Sequence, residues 1–457
     1  MSLVSIAAAT AAALDLSGAA AATTATVTAT DTSVVTRLVD SDCIYATATP
    51  TLVGEHLLVA LHKKSSKMSS RYAHCGSDPT PSGLYAVSVV TGEAWVLAED
   101  FDAEAPGVWT GSRFWIPLVG KAGIGTWSAE GPVRLKPHNT VTDSAGYWDA
   151  ARGQYVVGSV NVPLPVCQNG PSPWCGSVVA IDAQGALQHT ADRTSGLRGW
   201  ISGGITSDGR HYYLGTGNGE DGQNSLAGNP MRACSVVKLD GDLNVVASYD
   251  DGVEGCRDLG RLKSAVIGEL PIVDGSLYVQ HLGSTDGQAE APFVRLAADD
   301  LSVQCRVGLP AAPNQAVGSF YQAPVVDEHG RAYLVSATLD NRNKAALYRV
   351  DSDCSLRLLH GASAGRAGTP TLADDRWVLY GDAGSLHVVD RETGAATDHG
   401  LGSQSTVIAG AVISKAGVSV LSTDGTVTTL KATGVTSYGD APWPRFRADD
   451  HGRATAP

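Results

Sequence analysis

Basic, aromatic and amide side chains that could bind an anion are spread along this 457-residue chain. Arginine suits carboxylate and phosphate groups because its planar guanidinium can donate two parallel hydrogen bonds. A cleft lined by such residues would attract anions even though the whole chain carries a net charge of −13. Residues of this kind that precede short apolar runs are His138, Arg198, Trp200, Arg261, Lys263, Tyr321, Gln322, Arg366 and Gln404. The alternative is that each arginine pairs with a neighbouring carboxylate and is structural.

The eight cysteines form a second group that could do chemistry. They are Cys43, Cys75, Cys167, Cys175, Cys234, Cys256, Cys305 and Cys354. Their number is even and no C-x-x-C pair occurs, which favours disulfides over zinc ligands. Plausible bridges join Cys43 to Cys75, Cys167 to Cys175, and Cys234 to Cys256, which leaves Cys305 for Cys354, although a sequence does not determine connectivity.

Linear motifs give little indication of a catalytic or metal site. The sequence contains no H-E-x-x-H, no P-loop and no EF-hand pattern, and histidines such as His56, His62 and His74 lack ligand spacing. The acidic pI of about 5.3 argues against nucleic acid as a partner. Any site must therefore be assembled from distant parts of the chain.

The elements that would assemble such a site are short strands. Apolar runs alternate with D-G, H-G and T-G turns, and charged residues make up only 17% of the chain. The unit of four runs repeats eight times at intervals of roughly 38 to 58 residues, which predicts an all-β, eight-bladed propeller of antiparallel blades. Residues 31–457 are then one domain. The run at 32–40 lacks a partner hairpin, so we expect it to supply the outer strand of the last blade and close the ring.

Two segments resemble the outer hairpin of repeats in the pyrroloquinoline-quinone (PQQ), or quinoprotein-like, propeller family. They are GLYAVSVVTGEAW at 83–95, with Ser88 in the usual Asp position, and SLHVVDRETGAA at 385–396. The resemblance implies the eight-bladed fold. The segment 441–454 also resembles a part of this family that flanks the first or last blade. It implies that Trp443, Phe446 and Arg447 pin the junction of blades one and eight, with Arg447 paired to Asp449 or to a carbonyl.

Segments 155–182 and 199–222, in blades three and four, resemble polyvinyl-alcohol-type dehydrogenases of that family. In such enzymes PQQ stacks between a tryptophan and a disulfide of adjacent cysteines, beside a calcium ion. The resemblance places Trp200 near the inner strand and Asn218, in GTGN, where a calcium ligand can occur. The alternative is that GTGN only ends a strand tightly. Because no two cysteines are adjacent, we expect no cofactor, with PQQ and calcium as the alternative.

Long connections between the second and third strands of five blades all emerge on one face of the predicted propeller. They cover 62–82, 160–176, 216–234, 281–292 and 337–346. Loops on a rigid scaffold often carry binding sites, and the anion-binding candidates would line the channel mouth on this face. The expected disulfides would stiffen these loops and lower the ordering cost of binding.

Residues 1–30 are rich in alanine and threonine and favour an export signal, with a disordered tail or a misassigned start as alternatives. The apolar run is too short for a membrane span, so we expect a secreted or periplasmic monomer. The predicted function is a binding or scaffold module for a small molecule, glycan or protein at the loop-rich face. The alternative is an enzyme in the channel mouth, either a divergent PQQ-type dehydrogenase or a cofactor-free lyase or hydrolase.

Overall fold

The computed structural model describes a propeller of eight antiparallel sheets that follow one another along the chain. It describes residues 25–64, 74–75, 82–119, 123–135, 144–162, 175–197, 201, 203–216, 235–250, 268–280, 291–309, 323–336, 345–361, 367–407, 409–445 and 448–449. The predicted fold class and the number of blades are thereby confirmed. Within the described ranges, no helix has the length and hydrophobicity needed to cross a membrane.

Two N-terminal strands, β1 (Thr26–Ala29) and β2 (Ser33–Arg37), precede the first four blades. Blade one has β3 (Ile44–Tyr45), β4 (Thr51–Val53), β5 (His56–Lys63), β6 (Gly83–Ser88) and β7 (Ala94–Glu99). Blade two has β8 (Val108–Trp109), β9 (Phe114–Pro117), β10 (Ile124–Ser128) and β11 (Gly131–Leu135). Blade three has β12 (Tyr147–Asp149), β13 (Gln154–Val162), β14 (Cys175–Asp182) and β15 (Leu187–Ala191), followed by a 3-10 turn, Arg193–Ser195. Blade four has β16 (Thr206–Ser207), β17 (Tyr212–Gly215), β18 (Ser235–Leu239) and β19 (Val245–Asp250).

The last four blades repeat the same antiparallel order. Blade five has β20 (Ile272–Val273), β21 (Ser276–Gln280), β22 (Ala291–Ala297) and β23 (Val303–Leu309). Blade six has β24 (Val325–Val326), β25 (Ala332–Ser336), β26 (Ala346–Val350) and β27 (Leu356–Gly361). Blade seven has β28 (Thr371–Ala373), β29 (Trp377–Gly381), β30 (Ser385–Asp390) and β31 (Ala396–Gly400). Blade eight has β32 (Val412–Ser414), β33 (Gly417–Leu421) and β34 (Thr426–Leu430).

The N-terminal strand β2 closes the ring, as predicted. It pairs antiparallel with β34, from Ser33 opposite Leu430 to Arg37 opposite Thr426, and so supplies the outer strand of blade eight. The Thr36 hydroxyl also donates to the Gly92 carbonyl of blade one, 2.9 Å away. Strand β1 pairs outside β2 as a fifth strand. The expected leader boundary at residue 30 therefore falls inside a β-hairpin.

The turn between the third and fourth strands carries the repeat signature. In blade seven the Asp390 carboxylate accepts the backbone N–H groups of Glu392 and Thr393 at 3.0 and 2.9 Å. In blade one the Ser88 hydroxyl accepts the backbone N–H groups of Val90 and Thr91 instead, at 3.3 and 3.1 Å. Ser88 therefore fills the position that aspartate occupies in the other repeat, as its place in the sequence predicted.

The glycine of each T-G pair in these turns is required by the backbone. Gly92 and Gly394 have φ values of 79° and 76°, in the left-handed region that side chains other than glycine disfavour. A Cβ atom on Gly394 would come within 2.4 Å of the Leu359 carbonyl oxygen of the neighbouring blade. The turn therefore also sets how closely blades six and seven can approach.

The hydrophobic core lies between blades, so the middle strands are buried on both faces while the outer strands are exposed. Every residue of β6 and of β33 is buried, whereas three of the five residues of β11 are exposed. Between blades two and three, Trp115 packs in a cluster with Ile124, Tyr155 and Val179. Burial on both faces explains why the middle strands read as continuous apolar runs.

The two faces of the ring differ in their connections. We call the face with the connections between second and third strands and between blades the loop face, and the face with the tight hairpin turns the turn face. The strand bounds place loop-face connections over 64–82, 163–174, 216–234, 281–290 and 337–345, close to the predicted ranges. On the turn face the buried Asp327 accepts hydrogen bonds from Arg331 at 2.7 Å and Tyr333 at 2.9 Å and lies 3.4 Å from Arg391, linking blades six and seven.

Candidate functional site at the channel mouth

Of the nine side chains predicted to line the channel mouth, eight lie outside the described residues: His138, Arg198, Trp200, Arg261, Lys263, Tyr321, Gln322 and Arg366. Other predictions that fall outside the described residues concern Asn218, Cys167, Cys234, Cys256, Phe446 and Arg447. Cys175 begins β14. Gln404 is described, and it lies exposed on the loop face beside the Gly384 turn. The convergence of the basic side chains at the channel mouth stays a prediction.

Two of the expected disulfides are present in the described part of the chain. Cys43 bonds to Cys75 and Cys305 bonds to Cys354, with Cα–Cα distances of 5.3 and 5.9 Å. The first bridge holds the long connection of blade one against the segment that leads into the inner strand β3. The second joins the outer strand of blade five to a turn of blade six. Of these two described bridges, Cys43–Cys75 is therefore the one that fixes a loop at the channel mouth.

A buried histidine stands beside this bridge, held between two carboxylates. His62 lies at the loop-face end of β5. Its Nδ1 atom donates to the Asp102 carboxylate at 2.6 Å, and its Nε2 atom is 2.9 Å from the Glu104 carboxylate. The His62 side chain is only 7% exposed. Burial by itself lowers its pKa, but the hydrogen bonds to Asp102 and Glu104 and their charges outweigh burial and raise the pKa to about 10. His62 is therefore an imidazolium at neutral pH.

The carboxylates of this clamp come from the connection between blades one and two. Asp102 also accepts the backbone N–H of Lys63 at 3.0 Å, and the Asp102 carbonyl accepts the N–H of Val119 in blade two at 2.7 Å. The clamp thus fastens the edge of blade one to blade two. Linear spacing could not reveal it, because Asp102 lies 40 residues after His62 and no motif joins them.

A group of possible metal ligands lies at the same loop-face end of blade one. The sulfur atoms of Cys43 and Cys75 and a ring nitrogen of His74 all lie within 4.8 Å of one another. The His74 Nε2 atom is also 3.4 Å from the Asp42 carboxylate. Zinc would need both cysteines as thiolates, whereas here the two sulfurs form a disulfide. In this oxidised form the group is a structural bridge.

The C-terminal segment enters the channel from the turn face. Trp443 is fully buried, and its backbone exchanges two hydrogen bonds with Val326 of blade six, at 2.9 and 3.2 Å. The Pro444 carbonyl accepts from Leu372 of blade seven at 2.6 Å, and the buried Arg445 guanidinium donates to the Pro50 carbonyl of blade one at 2.8 Å. We call Trp443–Arg445 the channel plug.

The position of the plug corrects one expectation. Trp443 was expected at the junction of blades one and eight, but it pairs with blade six. The physical reason is the route of the chain: β34 ends on the turn face, and Thr436 and Ser437 bind Asp374 of blade seven there before the segment turns inward. Within the described part of the segment, Arg445 is the side chain that reaches blade one.

The channel offers no platform for a quinone among the residues that the structure describes. Three alanines that precede the inner strands of blades two, three and six pack together there: Ala105, Ala145 and Ala323. Neither described disulfide joins adjacent cysteines. These residues do not fit PQQ, and the expectation about a cofactor stays a prediction because Asn218 and Trp200 are outside the described residues.

One acidic residue near the channel was not singled out from the sequence. Glu269 is fully buried ahead of the inner strand β20, and its carboxylate lies close enough to Gly204 that a Cβ there would come within 3.2 Å of Oε1. In the sequence Glu269 lies in GELP, which matches no motif. Only the packing of blades four and five shows that this carboxylate lies inside the ring.

Comparison with known proteins shows the fold. No family model matches the chain, and no curated protein matches its sequence. Solved structures do. BamB from Moraxella catarrhalis has a TM-score of 0.55 at 14% identity, over 89% of this chain and 100% of that one. Quinohemoprotein alcohol dehydrogenase from Comamonas testosteroni has 0.59 at 12%, over 84% and 74%. The Dos1 propeller has 0.51 at 11%, over 87% and 96%. The resemblance to PQQ-repeat propellers is thus confirmed for the fold, and the chain has the eight-bladed β-propeller architecture of BamB and the quinohemoprotein dehydrogenases.

Proposed function

We propose that this protein is an extracytoplasmic binding module whose loop face takes an anionic ligand at the channel mouth. The observation that carries the proposal is the Cys43–Cys75 bridge, which fixes the long connection of blade one at the mouth. A loop that is already ordered loses less conformational entropy when it binds. Disulfides form and persist in oxidising compartments, which supports a location outside the cytoplasm.

The described part of the mouth supplies rigidity rather than positive charge. The charge of His62 is neutralised by Asp102 and Glu104, which leaves that clamp with a net charge of −1 when both acids are ionised. Attraction for an anion would therefore come from basic residues in the connections between other blades, above all Arg261 and Lys263 between blades four and five. These two residues are two apart, so on a strand they would share one face.

The test measures the melting temperature of the parent protein with inorganic phosphate, sulfate and succinate, each at constant ionic strength. A ligand at about ten times its dissociation constant should stabilise the fold by about 1.4 kcal/mol. The double variant Arg261→Ala with Lys263→Ala should lose most of this shift while folding normally. The matched control is Lys415→Ala with Lys431→Ala, which removes two exposed charges from blade eight and should respond like the parent.

Two results would contradict the proposal. Equal shifts in the parent and in the Arg261/Lys263 variant would place the anion elsewhere, and no shift with any of the three anions would remove the anion site. The alternative of an enzyme with a quinone site is tested in parallel by titrating PQQ with calcium, since specific binding must also raise the melting temperature.

A further inference from the structure

A cleft opens on the turn face between blades two and three, opposite the channel mouth. It has a volume of about 430 Å³, within the range of roughly 300–1,000 Å³ typical of ligand sites. Its walls come from the first turn of blade two and the outer turns of blades two and three. The residues that matter for its chemistry are Thr110, Arg113, Trp115, Glu130, Trp148 and Gln184. We call it the Trp148 cleft.

The floor of the cleft is an aromatic stack. The Trp115 ring stacks on Trp148, with 5.2 Å between centroids and 25° between planes, and stacks equally closely on Tyr155. Trp115 and Tyr155 are fully buried, whereas Trp148 is half-buried and lines the opening. Because its neighbours are held by the core, the Trp148 indole is a rigid apolar surface that a ligand could reach.

Arg113 is positioned beside this floor and is already engaged. Its guanidinium carbon lies 5.7 Å from the centre of the Trp115 ring, and Nη1 donates to the Ala183 carbonyl of blade three at 2.6 Å. The Thr110 hydroxyl donates to the Arg113 carbonyl at 3.0 Å, which holds the turn. Arg113 therefore keeps some donors for a ligand, but in one fixed orientation.

The rim is polar, and its charges cancel. Glu130 and Gln184 are exposed on the outer turns of the two blades, and Ser112 and Ser128 add hydroxyl groups. One arginine and one glutamate leave the cleft close to neutral in a protein of net charge −13. A phosphate-bearing ligand would meet Glu130 and the overall negative charge, and an aliphatic ligand would leave the rim groups without partners.

A ligand that fits both parts has an apolar face and a polar edge without charge. A sugar ring has this character, since its axial C–H groups can stack on an indole and its hydroxyl groups can bond to amide, carboxylate and guanidinium groups. We infer that the Trp148 cleft binds a neutral oligosaccharide. This site is separate from the anion site proposed above, in both face and ligand chemistry.

The test titrates the parent protein with maltotriose, cellotriose and chitotriose by calorimetry and tryptophan fluorescence, up to about 10 mM, a range that detects millimolar affinity. At least one should bind. The double variant Glu130→Ala with Gln184→Ala removes only exposed side chains and should weaken binding about tenfold or more, since two hydrogen bonds are lost. Trp148→Ala should abolish binding.

Trp377→Ala is the matched control. Trp377 is also half-buried with an arginine beside it, Arg376 at 4.3 Å, but it lies on blade seven outside the cleft. This variant and the Arg261/Lys263 double variant should bind the sugar like the parent. The inference is overturned if none of the three sugars binds, or if the Glu130/Gln184 variant binds as tightly as the parent. Because that variant spares the stack, a folding defect in Trp148→Ala would not obscure the result.

Discussion

Replacing His62 with glutamine should remove a contribution to the free energy of unfolding that decreases as the pH rises. Folding raises the His62 pKa from 6.5 to about 10, so the folded protein holds this proton more tightly than the unfolded chain does. The stabilisation is therefore fully present below pH 6.5, is lost as the pH rises towards 10, and is absent above it. His62→Gln should lack this dependence.

The size of the effect follows from the clamp geometry. A shift of one pKa unit corresponds to 1.36 kcal/mol, so the rise to about 10 sets an upper bound of ~5 kcal/mol. Asp102 and Glu104 are 29% and 23% exposed, and water screens part of the attraction. We expect the difference in unfolding free energy between the parent and His62→Gln to be ~3 kcal/mol at pH 6 and to approach zero by pH 10.

Urea denaturation of the parent and the variant, at one-unit pH steps from 6 to 10, measures this difference directly. The control is His56→Gln on the same strand, where burial is the main cause of a lowered pKa. A lowered histidine pKa costs stability as the pH falls, so the control should show a weak slope of opposite sign. A difference between the parent and His62→Gln that stays constant from pH 6.5 to 10 would refute the protonated clamp.

Two further predictions concern closure and the bridge at the mouth. Deleting residues 25–38 removes β1 and β2, exposes the edge of β34, and should cause aggregation or a large loss of stability; a deletion variant that melts within about two degrees of the parent would contradict this role. Replacing Cys43 and Cys75 with serine opens a loop whose ends are 32 residues apart and should cost roughly 3–4 kcal/mol in denaturant titration. Unchanged stability would show that the loop is held by other contacts.

The sequence was sufficient to predict the blades because their signals are local. Each outer turn needs an acceptor and a glycine at fixed positions, and Ser88 with Gly92 satisfies both as Asp390 with Gly394 does. The closing strand was predictable from its missing hairpin partner. The Cys43–Cys75 bridge was predictable because its cysteines belong to the long connection of blade one and its neighbouring segment, whereas Cys305–Cys354 was assigned by elimination.

The parts that failed or stayed open depend on contacts between distant segments. Trp443 was assigned to the wrong junction because the route of a segment through the channel is decided by packing against blades six and seven, not by its own pattern. His62 looked like an isolated histidine, since Asp102 and Glu104 lie about 40 residues later, in the connection to the next blade. The stack of Trp115 and Trp148 brings together two blades whose tryptophans share no motif.

Closure by β2 has a consequence for the synthesis of this protein on the ribosome. Ser33 is synthesised about 400 residues before its partner Leu430. At roughly 5–20 residues per second, β2 would wait some 20–80 s for its partner strand. During that time β2 has an unpaired edge, which is a template for pairing with other chains, and the end blades expose the apolar faces that later pack together. The ring can therefore be completed only after β34 has been synthesised, and factors that shield nascent strands should have a large effect on its yield.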